Sequence, residues 1–231
     1  MRLSYAEQPH YPPPGFRVRD AELRDVKSLT SIWYTSFNPS HPFFDYATPD
    51  TPATRKWLEE FWTAGIAAGP EVTRTFVVED LAQENKVVAF SRWHVPQADG
   101  NQDSPKPKTT PAEWDPEVTD ALWGGMARSR RRVMGQRPHW GAEFIAISQT
   151  HQGKKLPYPL LDWGIRQADA TGLEIYGDAS MRGLPVWKHY GFKDEAVLEM
   201  PIREGAYGAY QVVPITRAPK ERALGRPTEK L

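Results

Sequence analysis

The sequence has no cysteine in its 231 residues, which removes disulfides, thiolate nucleophiles and cysteine-ligated zinc together. Long apolar runs are missing as well. None approaches the roughly 18 apolar residues of a membrane helix, and none resembles the apolar stretch of a signal peptide. Net charge is absent too, because 29 basic side chains balance 29 acidic ones, so the electrostatic footprint of a general nucleic-acid binder is lacking. There is no Gly-x-Ser-x-Gly elbow, no Walker loop and no dinucleotide glycine pattern, and no two His, Asp or Glu residues stand at a zinc spacing. These absences leave a cytoplasmic protein with no metal, no nucleic-acid partner and no membrane partner as the expectation.

What the chain does hold is aromatic residues and proline. Nine tryptophans and a 39% hydrophobic fraction are enough for a sizeable core at this length. The 22 prolines are roughly twice the usual ~5% share. Four of them, Pro9, Pro12, Pro13 and Pro14, lie in the first 14 residues, which predicts an irregular arm over 1–15 ahead of one domain over 16–217. The charged, proline-containing residues 218–231 read as a flexible tail.

Periodicity predicts the elements between. Phe16-Arg17-Val18-Arg19 alternates like a strand, and Leu23, Val26, Leu29, Ile32 and Trp33 then recur at helical spacing. Asn38 to Pro52 is turn-rich. Pro52 opens a second helix through Trp57, Leu58, Phe61, Trp62 and Ile66, and 73–79 and 86–95 have the pattern of an antiparallel hairpin around Glu84-Asn85. Five prolines in 96–116 mark a loop at the start of an insertion that runs to 138, with a helix opened by Asp115-Pro116-Glu117. Arg128, Arg130, Arg131 and Arg132 near that helix's end read either as a solvated terminus or as a site for an anion. Trp140 to Ser148 is the strongest strand, with a continuous apolar run at 144–147. A helix ending at Gly172, a strand over 173–178, a short helix over 183–189, and strands over 192–200 and 207–215 complete the order. The fold class is α/β, a mixed and mostly antiparallel central sheet with flanking helices.

The stretch from Ala142 to Phe192 resembles the GCN5-related N-acetyltransferase (GNAT) superfamily, in wording closest to its fungal members. Glu143-Phe144-Ile145-Ala146-Ile147, then Gln152-Gly153-Lys154-Lys155 and Leu160-Leu161-Asp162-Trp163-Gly164, is similar to that family's strand, turn and helix around the acetyl-CoA pyrophosphate. Asp178-Ala179-Ser180-Met181-Arg182-Gly183 and Lys188-His189-Tyr190-Gly191-Phe192 resemble its next strand end and helix end. The resemblance implies a GNAT-like fold and transfer of an acyl group, acetyl first of all, from acetyl-CoA to a small-molecule amine. It assigns Ala146, Ile147 and Ser148 to the pantetheine, Gln152, Gly153, Lys154 and Lys155 to the pyrophosphate, Ser180 to the cofactor site, and the Ile147 amide to the oxyanion.

The chain also departs from that pattern. Where the family has two small residues after Gln152, this sequence has Lys155 and Pro157, and Pro159 follows. Lysine adds a Cβ where glycine lets the backbone approach phosphate, and each proline removes an N–H donor. The family's thiolate-protonating tyrosine falls on Trp187, leaving Tyr190 as the candidate acid. Candidate bases are Glu143, whose place in an apolar run should raise its pKa, and Asp178 at a strand's C-terminal end, with His94, His139, His151 and His189 as further titratable groups. The departures leave two other readings open: a GNAT-fold enzyme of cyclase or isomerase type in a biosynthetic, secondary-metabolic role, and a ligand-binding module.

Overall fold

The computed structural model describes residues 12–37, 41–100 and 103–220; most of the N-terminal arm and of the C-terminal tail lie outside them. Eight strands form one sheet: β1 (Phe16–Asp20), β2 (Thr73–Asp80), β3 (Lys86–His94), β4 (Trp140–Ile147), β5 (Ile175–Ser180), β6 (Lys193–Asp194), β7 (Leu198–Glu199) and β8 (Gln211–Arg217). Their order is β1-β2-β3-β4-β5-β8-β6, with β7 also on β8. Every pair is antiparallel except β4 with β5. A parallel pair needs a crossover, and α6 (Pro157–Thr171) supplies it.

Helices cover both faces. On one side α6 buries Leu160, Leu161, Trp163 and Ala168 against the sheet, joined by Leu184 of α7 (Leu184–His189). Gly164 is required there, since a Cβ would stand 2.3 Å from the Trp93 ring. On the other side lie α1 (Val26–Phe37), α2 (Pro42–Ala47) and α3 (Pro52–Ala67), with Trp33, Phe43, Phe61 and Trp62 among the buried rings. The insertion contributes α4 (Pro116–Thr119), a π-turn over Asp120–Gly124 and α5 (Gly125–Met134) to this second layer. Asp115 caps α4 by accepting the amides of Glu117 and Val118, as its place before Pro116 predicts.

Four expectations are corrected. The turn-rich stretch after Asn38 contains the short helix α2, built on Phe43 and Phe44 facing the core. The strand expected over 192–200 is two two-residue strands, and β5 runs on to Ser180. The last strand starts at Gln211 and extends to Arg217, whose guanidinium pairs with Asp169 of α6 at 2.8 Å.

One irregularity opens the sheet. Along β3 and β4, Arg92 pairs with Phe144 and Trp93 with Ala142, so Glu143 is an extra residue with no opposite partner, a β-bulge. The bulge reverses the strand's phase: Trp140 and Ala142 face the α6 layer, while Phe144 and Ala146 face the α1–α3 layer. It also bends β4. Pairing with β5 covers only Trp140↔Ile175, Gly141↔Tyr176 and Ala142↔Gly177, and from Glu143 onward the two strands part.

Candidate active site

A cavity of about 650 Å³ occupies the split between β4 and β5. It is lined from both layers of the molecule, by Pro157, Leu161, Val186 and Trp187 on one side and by Trp33, Phe61 and Trp123 on the other. A passage through a sheet at a parallel strand's C-terminal end is a usual place for a ligand in α/β proteins.

Two carboxyl groups reach this wall and their environments are opposite. The Glu143 side chain is 13% exposed and lies 2.8 Å from Nε of the fully buried Arg92, without the alignment of a hydrogen bond, and 3.1 Å from His94 Nε2. Ser104, from the insertion, donates to its other oxygen. Burial pushes this carboxyl up, but the Arg92 and His94 charges and the hydrogen bonds outweigh it and hold it down at about 2. The raised pKa expected for Glu143 is therefore overturned: the group is a permanent carboxylate in an ion pair.

Arg92 has its own housing. Its Nη1 donates to the Phe61 carbonyl at 3.2 Å, and its guanidinium lies 4.5 Å from the Phe61 ring centroid. One turn on in α3, Gly65 leaves the slot open, since a Cβ there would meet Arg92 Cζ at 2.3 Å. Ser104, His94 and Glu143 thus meet, but they do not form a nucleophilic triad. The same nitrogen, Nε2, contacts both the serine and the carboxylate, whereas a triad needs the acid on Nδ1 and the nucleophile on Nε2.

Asp178, across the split on β5, is only partly buried and lines the cavity. It accepts a hydrogen bond from the Tyr176 hydroxyl at 3.0 Å. Burial pushes it up to about 7, against the smaller opposing effects of Tyr176 and Arg130. A carboxyl poised near neutrality, on a cavity wall and held by one phenol, is suited to accept and release a proton. Beyond it, Ser180 Oγ accepts the amide of Gly183, the N-cap of α7, at 3.2 Å.

The other candidate residues divide by place. Ile147, Gln152, Ser180 and Trp187 line the cavity. The Ile147 amide donates to Ser36 Oγ at 3.3 Å, and Gln152 Nε2 to the Ile147 carbonyl at 3.4 Å, while Arg182 Nη2 donates to Gln152 Oε1. Ala146 is buried beneath the α1–α3 layer, and Ser148 follows β4 with its amide on the Val88 carbonyl. Gly153, Lys154 and Lys155 are exposed beside the start of α6. Gly153 has φ +80° and Lys155 has φ +61°, so lysine holds the left-handed conformation that glycine favours. Pro157 and Pro159 occupy the first turn of α6 as expected and leave it two amides short.

Tyr190 ends α7, away from the cavity wall, with its ring 6.2 Å from that of Tyr158. Among the histidines, His151 is a buried pin between Asp80 at 3.0 Å and the hydroxyls of Ser148 and Thr150. His139 bonds the Arg137 carbonyl, and His189 lies against the Tyr190 ring. His41, which periodicity gave no reason to single out, lines the cavity beside Phe44; burial and the charge of Arg182 push it down, so it is neutral at pH 7. On α5, Arg128 pairs with Asp120, and Arg130 and Arg131 share Asp103. Among the described residues no group of three or more His, Asp or Glu could hold a metal ion, and no helix is long and apolar enough to cross a membrane.

No protein-family model matches the chain, and no curated protein sequence does. Solved structures do match. A GNAT superfamily phosphinothricin acetyltransferase from Sinorhizobium meliloti, in complex with AcCoA, is 14% identical with a TM-score of 0.54 over 94% of this chain and 95% of its own. Mosquito arylalkylamine N-acetyltransferase like 5b is 15% identical, TM-score 0.55, covering 88% and 99%. The C-terminal condensation domain of Ebony, in complex with beta-alanyl-dopamine, is 9% identical, TM-score 0.65, covering 88% and 98%. The fold is GNAT-like, a mixed and mostly antiparallel sheet with a parallel β4–β5 pair and flanking helices.

Proposed function

We propose that this protein is an acyl-CoA-dependent N-acyltransferase, transferring an acetyl group to a small-molecule amine within a ternary complex. The observation that carries this reading is the cavity running through the β4–β5 split with Asp178, held near pH 7, on its wall. The N-acetyltransferase neighbours, one of them holding AcCoA, support it.

In this reading the acyl donor's pantetheine lies along Ile147 and Ser148, and its phosphates rest near Gln152, Gly153 and Lys154. The residues fit that use in part. The left-handed turn at Lys155 is retained without glycine, and the two lysines offer point charges where the prolines take away amides. Asp178, ionised, takes a proton from the substrate ammonium and frees its lone pair to attack the thioester carbon. The Ile147 amide, moving from Ser36 Oγ to the developing oxyanion, stabilises the tetrahedral centre. As the C–S bond breaks, the second proton shed by the nitrogen ends on the thiolate. Trp187 has no acidic group for that step, and Tyr190 reaches it only if α7 shifts, so the proton's route runs through cavity groups such as His41 or water.

Calorimetry with acetyl-CoA tests the reading directly. Saturable binding below millimolar concentration is expected, and its absence at millimolar concentration would sink the proposal. Pro157 and Pro159 favour a second reading, in which the GNAT fold serves small-molecule chemistry without CoA; turnover of a cavity ligand in CoA-free protein would establish it.

A further inference from the structure

The wall of the cavity says more about the acceptor than its fold does. Six of the aromatic rings on it belong to the layer of α1–α3: Trp33, Phe37, Phe44, Phe61, Trp123 and Phe144. None is stacked on another: Phe37 is tilted against Trp33 and Phe44, and the other contacts are edge to face. Trp33 meets Phe44 at 5.7 Å and Phe144 at 5.5 Å, and Trp123 meets Phe61 at 6.0 Å and Phe144 at 6.3 Å, all steeply inclined. Rings arranged this way present both faces and edges to the cavity, which is the geometry that receives another flat ring. Trp123 belongs to the π-turn, whose extra residue redirects the helix wall at that point.

The charges narrow the choice further. Of the carboxylates on the wall, Glu143 is engaged by Arg92, and Asp103 by Arg130 and Arg131. Asp178 carries a hydrogen bond from a neutral phenol and no salt bridge among the described residues. The cavity therefore has one carboxyl available to one ammonium. A polyamine needs a second anionic partner for its second charge. An amino acid needs a desolvated cation for its carboxylate; on the wall Arg128, Arg130 and Arg131 are engaged with Asp120 and Asp103, and the remaining lysine and arginine, Lys106 and Arg182, are exposed to water.

We infer that the acceptor is a primary monoamine on a flat aromatic body, with its nitrogen at Asp178 and its ring among Trp33, Phe61, Trp123 and Phe144. This rests on the acyltransferase reading for its chemistry but not for its binding. The test is calorimetry at pH 8 with 2-phenylethylamine, spermidine and phenylalanine, each with and without CoA. 2-Phenylethylamine should bind at least about tenfold more tightly than the other two, Trp123→Ala should weaken it about tenfold, and Trp123→Phe should restore most of the affinity. Trp123 is only partly buried, so both variants should keep the thermal transition of the parent. Equal or tighter binding of spermidine or phenylalanine, no binding of 2-phenylethylamine, or an unchanged affinity in a folded Trp123→Ala would overturn the inference. If CoA fails to bind while 2-phenylethylamine binds as described, the acyltransferase reading falls and this one stands. If acetyl-CoA binds and spermidine is the better acceptor, the reverse holds.

Discussion

The two lips of the β4–β5 split each present a carboxyl to the same cavity, and their protonation is opposite. On the β4 lip Glu143 sits in a bulge against a buried guanidinium and stays ionised down to about pH 2. On the β5 lip Asp178 has a phenol as its partner, and burial carries it to about 7. Burial acts on both in the same direction; what separates them is whether a cation lies within contact. On the proposed reading the β4 lip is structural and the β5 lip carries the chemistry. The bulge that makes Glu143 unavailable is also the irregularity that opens the split for Asp178 to use.

The contrast between the lips breaks most severely at Arg92. Replacing it by methionine leaves Glu143 buried beside no permanent cation, and loss of one partner of a buried pair costs about 3–5 kcal/mol. Urea unfolding should show that loss, and the double variant Arg92→Met, Glu143→Leu should recover most of it, because an apolar pair needs no desolvation. Similar stability in single variant and parent would mean that the pair holds nothing.

On the other lip the loss should fall on rate. Asp178→Asn keeps the shape and the contact with Tyr176 but cannot take a proton, so kcat/KM at pH 8 should fall about a hundredfold. The parent's rate should rise with pH through about 7 and the variant's should lack that limb. Stability should move the other way. The Asp178 pKa rises from an ordinary 3.8 to about 7 on folding, so the folded state holds the proton longer and stability is lost as pH rises from about 4 to 7. Asp178→Asn should flatten that decline. Glu143, lowered from 4.5 to about 2, contributes stability that is complete above about 4.5 and lost as pH falls toward 2. A parent whose stability is level from pH 4 to 7 and whose rate shows no limb near 7 would remove the contrast.

How much of this was legible in the sequence depends on which forces are local. The apolar run at 144–147, the proline-started α6 and the Gly172 stop are local signals, and the layered sheet follows from their order. The split is not local. A bulge has no side-chain signature, and Glu143 reads as a base until Arg92, on the neighbouring strand, is seen against it. The slot for Arg92 depends on Gly65 in yet another element, a position where glycine inside a helix looks like a mere weakness. Helix α2 was hidden because six residues are too few to show a period among turn-forming neighbours. His41 and Ser104 lie in segments without periodicity, so nothing marked them as cavity residues. The excess of tryptophan and phenylalanine in α3 and the insertion is, by contrast, a signal the sequence does carry, and Phe61 and Trp123 line the cavity.

The smallest effect expected belongs to the rim shared by the two lips, where α6 begins. Lys155 is exposed, carries φ +61°, and stands where the turn should face a phosphate. Its charge is screened by water, so Lys155→Glu should weaken acetyl-CoA about fivefold to tenfold and leave the binding of an aromatic amine unchanged. The effect should shrink as salt is raised, because it is a through-solvent attraction and not a fixed contact. Lys155→Gly separates charge from conformation: it drops the cation but relaxes the left-handed turn, so its affinity should fall less than that of the glutamate variant while its thermal stability rises slightly. An affinity for acetyl-CoA that is the same in parent, glutamate and glycine variants at low salt would place the phosphates elsewhere. The cation to replace next is then Arg182, which already contacts Gln152 across the mouth of the cavity.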